Sequence, residues 1–221
     1  MPGILLKIWE KLFYPFTIYN IFQFPFLIME NSEETELEHM VLAPYIQKST
    51  ALRGKHRYVG GNQFRHALST FAILLDYHYM DSVLLKASII HDLFEDVESV
   101  SPEEIIKIDA DGSDVYQLVM EVTHGKDESK EEFLERIFIK GSTNAKILKC
   151  ADRISNLTDL HTDIFDRAFI LRYIDETKRW ILPMAKEVNE DMLFELKDII
   201  QKRESSMKYK PSFWPMKRKG N

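Results

Sequence analysis

The sequence predicts an all-helical protein, and three observations support this prediction. Only 8 glycines and 8 prolines occur among 221 residues, which favours long helices over a turn-rich sheet. Apolar residues recur at the i, i+3 and i+4 spacing of amphipathic helices in several segments. No segment shows the sustained alternation of apolar and polar residues that is typical of half-buried strands. We therefore expect a helical bundle without a sheet.

The predicted helices can be placed by their caps and apolar stripes. Asn62 is expected to cap a helix whose apolar residues run from Phe64 to Leu75. Residues 81–90 are apolar on most faces, so this helix should cross the core. Residues 101–104 (SPEE) combine a capping box with proline at the first helical position, so another helix begins there. Further helices are expected at Val115 to Val122, Glu131 to Ile139, Ala145 to Leu160, Phe169 to Lys186 and Asp191 to Gln201.

The chain length predicts one domain with tails. We assign residues 31–202 to the domain, 1–30 to a hydrophobic N-terminal segment and 203–221 to a basic C-terminal tail. Its uncharged stretch from Phe13 to Met29 is interrupted by Pro15 and Pro25 and falls short of the roughly 20 consecutive apolar residues that a membrane span needs. It is interpreted either as a peripheral segment, with membrane contact through residues 1–28, or as an upstream extension before a start at Met29. Secretion is the third interpretation.

The net charge and the cysteine content limit the functional classes to which the protein can belong. The formal net charge of −6 leaves no overall basic surface for duplex binding, so no nucleic-acid partner is expected. The single cysteine, Cys150, cannot form an internal disulfide, which fits a reducing compartment and a cytoplasmic location. The sequence contains no glycine-rich phosphate loop and no nucleophile elbow. Its chemistry must therefore come from side chains on helices.

The most informative segment is HDLFED, residues 91–96, at the end of the apolar helix. Burying these polar side chains without partners would be costly. On a continuous helix, His91 and Glu95 would share one face and Asp92 and Asp96 the adjacent one. A divalent cation would remove the cost of burying these groups, because it would neutralise Asp92 and be bound by the His91 imidazole. Glu95 and Asp96 would then lie one turn further on.

One histidine and one aspartate leave such a site incomplete, so other segments must supply ligands. His66 lies beside the apolar stripe of its helix and could face the same pocket. Asp152 lies on a helix whose Leu148 and Ala151 should belong to the core, and Asn156 follows one turn later on the same face. We expect His66 and Asp152 to complete the cluster.

Together, His66, HDLFED and the segment KCADRISNL around Asp152 resemble the HD-domain superfamily. More narrowly, they resemble the alarmone hydrolases related to the RelA/SpoT enzymes, in particular their small stand-alone metazoan branch. The resemblance covers about Leu52 to Leu196 and includes VMEVTHG at 119–125 and YIDETKRWILPMAK at 173–186. It implies an HD-domain helical bundle with the metal site between core helices.

The resemblance also implies an activity and a set of roles. The implied reaction removes the 3′-pyrophosphate of guanosine 3′,5′-bis(diphosphate), a small guanine nucleotide, with one divalent ion per chain, usually manganese. Glu95 and Asp96 match the pair that activates water and protonates the leaving group. The matching metal ligands are His66, His91, Asp92 and Asp152.

Four residues are assigned to substrate binding. Asn156 matches a substrate contact, and Arg57 matches a basic residue near the guanine base, with a plain surface cation as the alternative. Asp159 and Tyr173 are assigned to the same pocket, with a helix-end cap and a packed aromatic as their alternative interpretations. Four further histidines are interpreted as structural or surface residues; these are His56, His78, His124 and His161.

The departures from the family concern recognition more than chemistry. The usual Gly-Glu-Pro-Tyr stretch is replaced by GGNQ at 60–63, and the usual His-Pro pair by His66-Ala67. Tyr58 stands where a lysine is common. Two other functions therefore stay open: an HD-type phosphohydrolase acting on a deoxynucleotide, a nucleoside monophosphate or NADPH, and a non-catalytic nucleotide-binding module. The presence of every ligand and of both acids argues against the last.

Overall fold

A computed structural model describes residues 32–161 and 164–208. Residues 32–39 are helical and belong to a small N-terminal unit, Met1–Met40, whereas the candidate site lies in the unit Val41–Asn221. The segment 1–30 lies outside the described residues, as does the C-terminal tail beyond residue 208. Residues 203–208 continue the last helix. In the described ranges, no helix is long and apolar enough to cross a membrane.

The larger unit is built from helices, which confirms the all-helical prediction. Within the described residues there is no β-strand, and the extended pairing consists of one isolated bridge between His56 and Asn62. Its α-helices are α1 (Ala43–Ser49), α2 (Gln63–Asp76), α3 (Ser82–Ile90), α4 (Leu93–Asp96), α5 (Pro102–Ile106), α6 (Gly112–Val122), α7 (Lys130–Lys140), α8 (Thr143–Thr158), α9 (Arg167–Glu176), α10 (Leu182–Val188) and α11 (Glu190–Lys208). A 3₁₀ helix (Thr50–Gly54) follows α1, and a π-helix (Thr177–Ile181) follows α9.

Local sequence signals place the helix starts correctly. The Asn62 side chain accepts a hydrogen bond from the backbone N–H of Arg65, as expected of the cap of α2. Ser101 and Glu104 form the predicted capping box of α5. Helix α3 is buried from Leu84 to Ile90, so it crosses the core as predicted.

Helix α8 lies at the centre of the bundle. It packs on α2, α6, α10 and α11. Its buried residues extend from Ala145 to Leu157 and include Asp152 and Arg153, which are 5% and 1% exposed. The central helix therefore carries charged groups through the core, and its neighbours must compensate them.

The expectation of one continuous helix through HDLFED is wrong. Helix α3 ends at Ile90, and the short helix α4 begins at Leu93. The ring Nδ1 of His91 hydrogen-bonds the backbone carbonyl of Ser88 at 2.8 Å. The His91 side chain thus occupies a carbonyl that a backbone N–H of the next helical turn would otherwise bind, which favours the end of the helix at this point.

The helix predicted over 169–186 is interrupted. It is α-helical to Glu176, passes through the π-helix and resumes as α10 at Leu182. Pro183 explains the change, because proline has no N–H to donate and its ring clashes with the carbonyl four residues earlier. A π-helical turn just before a proline accommodates both effects.

A buried ion network fixes α3 to the segment before α6. The ammonium of Lys86 lies 2.7 Å from carboxylate oxygens of both Asp109 and Asp111, and its side chain is 4% exposed. Tyr45 donates a hydrogen bond to Asp109 at 2.8 Å, and Ser82 donates one to Asp111 at 2.7 Å. The two carboxylates share one cation, so its removal would leave adjacent anions without compensation.

We expect Lys86→Ala to lower the free energy of unfolding by about 3 kcal/mol, because it breaks a buried charge network from one side. Lys178→Ala is the matched control, since Lys178 forms an exposed pair with Glu204 and should cost no more than about 1 kcal/mol. Urea unfolding of both variants measures the difference. If both variants lost the same free energy of unfolding, the Lys86 network would stabilise the protein no more than an exposed ion pair does.

Candidate active site

The four predicted ligands converge, although they come from three parts of the chain. His66 lies on α2, His91 and Asp92 lie between α3 and α4, and Asp152 lies on α8. The His66 Nε2 atom is 3.0 Å from an Asp152 oxygen and 3.7 Å from an Asp92 oxygen. The His91 Nε2 atom is 3.2 Å from Asp92 and 3.9 Å from Asp152. The Nε2 atoms of both histidines and the carboxylates of both aspartates therefore converge on one point.

The donor set fits a divalent cation. Because the Ser88 carbonyl can only accept, the His91 ring donates its Nδ1–H to it, and this contact turns Nε2 toward the cluster. That Nε2 is buried and has no hydrogen-bond partner. It lies 3.2 Å from a carboxylate oxygen of Asp92 and 3.9 Å from one of Asp152. A cation between these groups would bind imidazole nitrogen and carboxylate oxygen together. His66, His91 and Asp92 have the spacing of a metal-binding group.

Asp152 is the most heavily supported member of the cluster. The ammonium of Lys149 lies 2.7 Å from its second oxygen, and Asn156 donates to the oxygen that faces the histidines. Burial alone would raise the pKa of Asp152, but Lys149 and the two histidines outweigh burial and hold the pKa well below its usual value. Asp152 is therefore a carboxylate in spite of its depth.

Glu95 and Asp96 lie beside the cluster on α4 and have supports of their own. The backbone N–H of His124 donates to Glu95 at 2.7 Å, and the Gln63 amide donates to Asp96 at 3.1 Å. Glu95 keeps an exposed side, yet the protein around its carboxylate excludes enough water to raise its pKa. The charge of Asp92 adds to this increase, and the His124 hydrogen bond opposes it.

Arg57 connects the cluster to the acids. Its guanidinium donates to Gln63 at 2.8 Å and to Asn156 at 2.8 Å. Gln63 also donates to Asp96, and Asn156 also donates to Asp152. One chain of hydrogen bonds therefore runs from Asp152 through Arg57 to Asp96 on α4. The turn that presents Arg57 uses Gly60 and Gly61 with φ of 93° and 75°, values that side chains other than glycine rarely adopt.

A cavity of about 230 Å³ opens beside this chain of hydrogen bonds. It contains all four residues assigned to substrate binding, and Asp159 lies 3.5 Å from the Arg57 guanidinium. Asn156 belongs both to the cavity wall and to the surroundings of Asp152, so the cavity adjoins the cluster. The lining residues are His56, Arg57, Tyr58, Val59, Gln63, Asn156, Asp159, Leu160, Phe165, Phe169 and Tyr173.

Sequence reasoning missed several residues of the site. Lys149 pairs with Asp152, Ser155 bonds His66 Nδ1 at 2.9 Å, and Gln63 joins Arg57 to Asp96. His56, interpreted as structural or surface, lines the cavity. Lys149 had a detectable signal, because a lysine three residues before Asp152 on the same helix can pair with it. The contacts of Ser155 with His66 and of Gln63 with Asp96 had none, since these partners lie 89 and 33 residues apart.

The helical bundle, with two histidines and two aspartates converging between its core helices, has the all-α HD-domain fold. No family model matches the sequence. An 87-residue segment, 38% of the chain, is 39% identical to the guanosine-3′,5′-bis(diphosphate) 3′-pyrophosphohydrolase MESH1 of Drosophila melanogaster. This match spans 46% of that protein, so the chain spans about half the length of the curated relative it matches.

A solved structure extends the similarity over most of the chain. It is that of a metazoan ortholog of SpoT that hydrolyses ppGpp and plays a role in starvation responses. The two chains are 26% identical with a TM-score of 0.60, and the match covers 73% of this chain and 96% of the other. The resemblance to the small stand-alone alarmone hydrolases is therefore confirmed in both sequence and fold.

We expect one divalent ion to bind per chain, and His91→Ala to weaken manganese binding at least about 100-fold, because loss of even an outer partner of a ligand typically costs 10- to 100-fold. Calorimetric titration of manganese into chelator-treated protein measures the affinity. His39→Ala replaces an exposed histidine of the N-terminal unit and should leave the affinity unchanged. If His91→Ala bound manganese as tightly as the parent, the cluster would not be the metal site.

Proposed function

We propose that the protein hydrolyses the 3′-pyrophosphate of guanosine 3′,5′-bis(diphosphate), releasing GDP and pyrophosphate, with manganese as the resident ion. The observation that carries this proposal is the position of the His66, His91, Asp92 and Asp152 cluster, which adjoins a cavity of about 230 Å³ through Asn156. The similarity to MESH1 of Drosophila melanogaster and to the metazoan SpoT ortholog supports the substrate.

The donor set supports manganese. Two imidazole nitrogens and two carboxylates suit a borderline to hard divalent ion better than one that prefers thiolates. A divalent ion held here supplies Lewis acidity toward water and toward a phosphoryl oxygen. Asp152, kept charged by Lys149, and the Nε2 of His91, which the Ser88 contact orients, are the donors best placed to hold it.

The surroundings of the cluster suit an anionic substrate. Lys149 and the guanidinium of Arg153 are buried on α8. Lys130, at the start of α7, lies near enough to be repelled by both positive charges. Loss of hydration, followed by repulsion from Lys149 and Arg153, lowers the pKa of Lys130. An anionic substrate group near Lys130 would offset this repulsion.

Glu95 and Asp96 are proposed to move the protons. Hydrolysis breaks the bond between phosphorus and the ribose 3′-oxygen; the attacking water loses a proton, and the 3′-oxygen gains one. The raised pKa of Glu95 suits it to deliver the proton to the 3′-oxygen, and the neighbouring Asp96 would accept one from water. Both acids have hydrogen-bond partners distinct from those of the metal-binding donors, His124 for Glu95 and Gln63 for Asp96.

We expect the double variant Glu95→Gln with Asp96→Asn to lose at least about 10²-fold in kcat while it retains the metal, because positioned acids and bases typically contribute 10²–10⁴-fold. Steady-state kinetics and metal analysis of the same sample test both parts. Glu103→Gln changes an exposed acid outside the site and should be neutral. A double variant that emerged without metal would move these acids into the ligand set.

The guanidinium of Arg57 is proposed to recognise the nucleotide. Its Nη atoms are committed to Gln63, Asn156 and Asp159, so its planar face is the part best able to meet a purine ring. Arg57→Ala should therefore raise KM for the tetraphosphate at least about 10-fold and lower kcat less. Arg53→Ala, an exposed neighbour outside the cavity, is the matched control.

A substrate panel with manganese decides among the functions. Conversion of the tetraphosphate to GDP and pyrophosphate supports the proposal. An intact tetraphosphate together with turnover of a deoxynucleotide, a nucleoside monophosphate or NADPH would replace it with a broader phosphohydrolase. Metal binding without turnover of any of these would favour a nucleotide-binding module.

A further inference from the structure

The loop between α6 and α7, residues 123–129, holds the Glu95 carboxylate through its backbone. Helix α6 ends at Val122, and Thr123 is already extended, with φ of −78° and ψ of 131°. The chain leaves the helix there, and the N–H of His124 donates to Glu95 at 2.7 Å. Every residue except proline carries such an N–H. The support of Glu95 therefore depends on how the loop is held and not on the side chain at position 124.

Arg136, on α7, holds the loop at the peptide that carries this N–H. Its guanidinium donates to the carbonyl of Thr123 at 3.0 Å and to that of Glu121, in the last turn of α6, at 2.8 Å. The carbonyl of Thr123 and the N–H of His124 belong to one planar trans peptide and point in opposite directions. A donor that fixes the carbonyl therefore also fixes the direction of the N–H that meets Glu95. It also polarises the peptide, which strengthens the hydrogen bond on the other side.

Glu128 binds Arg136 from the far end of the loop. Its carboxylate accepts hydrogen bonds from Nε and Nη2 of Arg136 at 2.7 and 3.1 Å, and from the N–H of Gly125 at 3.2 Å. Its carbonyl accepts one from Nε2 of His124 at 2.7 Å. The hydrogen bond from Arg136 is the main cause that lowers the pKa of Glu128, so this carboxylate stays charged. These contacts use the planar fork of donors that distinguishes arginine from lysine.

We propose that Arg136 is a positioning residue for the reaction, which acts through the Thr123–His124 peptide to orient the Glu95 carboxylate. The proposal rests on the proposed role of Glu95 in delivering a proton to the ribose 3′-oxygen. Arg136 lies outside the motifs that carry the resemblance to the HD-domain family. Its role is assigned by the contacts of the loop.

Loss of this support should change the titration of Glu95 in a definite direction. Burial raises the pKa of Glu95, and the His124 N–H opposes the increase, so the pKa should rise further without that N–H. Glu95 is proposed to act in its protonated form, so the alkaline limb of the pH profile of kcat should move to higher pH. The other charged groups around Glu95 remain in place; they are Asp92, Lys149, Lys130, Lys55, Asp96 and Glu98.

The test compares Arg136→Ala and Arg136→Lys with the parent, all as the full chain. We expect kcat for the tetraphosphate with manganese to fall about 10- to 100-fold in Arg136→Ala, because a small misplacement of a reacting group has effects of this size. KM should change less than kcat, since the contact acts on proton transfer and not on binding. Carbon NMR of labelled glutamate in chelator-treated protein should show Glu95, assigned by its absence in Glu95→Gln, titrating at higher pH. Arg136→Lys keeps the charge without the fork, so it should resemble Arg136→Ala.

Arg179→Ala is the matched control, because it removes a guanidinium from an exposed pair with Glu131 and should leave kcat and the Glu95 titration unchanged. Glu128→Gln weakens the same contacts from the other end of the loop and carries the test if Arg136→Ala does not fold. It should shift both measurements in the same direction. The double variant should be no worse than Arg136→Ala, because the two residues belong to one network.

A Glu95 carboxyl that titrated as in the parent in the folded variants would overturn the proposal. Parental kcat and parental titration in Arg136→Lys would also overturn it, because the charge alone would then suffice. The titration needs no turnover. A protein that left the tetraphosphate intact while Arg136→Ala raised the pKa of Glu95 would therefore contradict the proposed activity and support the positioning role.

Discussion

The site depends on the compensation of one charge in the core, that of Asp152. A carboxylate at this depth is strongly destabilising unless cations and N–H groups surround it. Lys149 supplies the cation from the preceding turn of α8, Asn156 supplies an N–H from the following turn, and His66 approaches from α2. The helices around α8 must therefore present either apolar surface or one of these partners, which fixes the approach of α2.

The break between α3 and α4 separates two tasks that a continuous helix would combine. His91 ends the apolar helix and directs Nε2 at the cluster, because its Nδ1 is held by Ser88. Glu95 and Asp96 follow on a short helix whose carboxylates are held by His124 and Gln63 instead. The predicted ligands and the acids thus have different direct partners, and Arg57 joins the two sets through Asn156 and Gln63.

The loop from Arg53 to Gln63 lies under different constraints from the central helix. It contributes Gln63, which joins Arg57 to Asp96, and Tyr58, whose ring centroid lies 5.2 Å from that of Phe165. Tyr58 is 76% exposed, whereas Asp152 on α8 is 5% exposed. A surface loop does not carry the buried charges that constrain α8, so its side chains can change at a lower cost in stability.

The sequence by itself determined the helical class, the caps, the core-crossing helix and the residues of the cluster, because these depend on local spacing or on residue types with few uses. The π-helix before Pro183 was within reach of the same reasoning but was not predicted. Only the tertiary structure decided which distant groups meet. Arg57 and Asn156 are 99 residues apart, and His66 and Ser155 are 89 apart. Such contacts leave no periodic signal, since either partner alone is an ordinary polar residue until the helices pack.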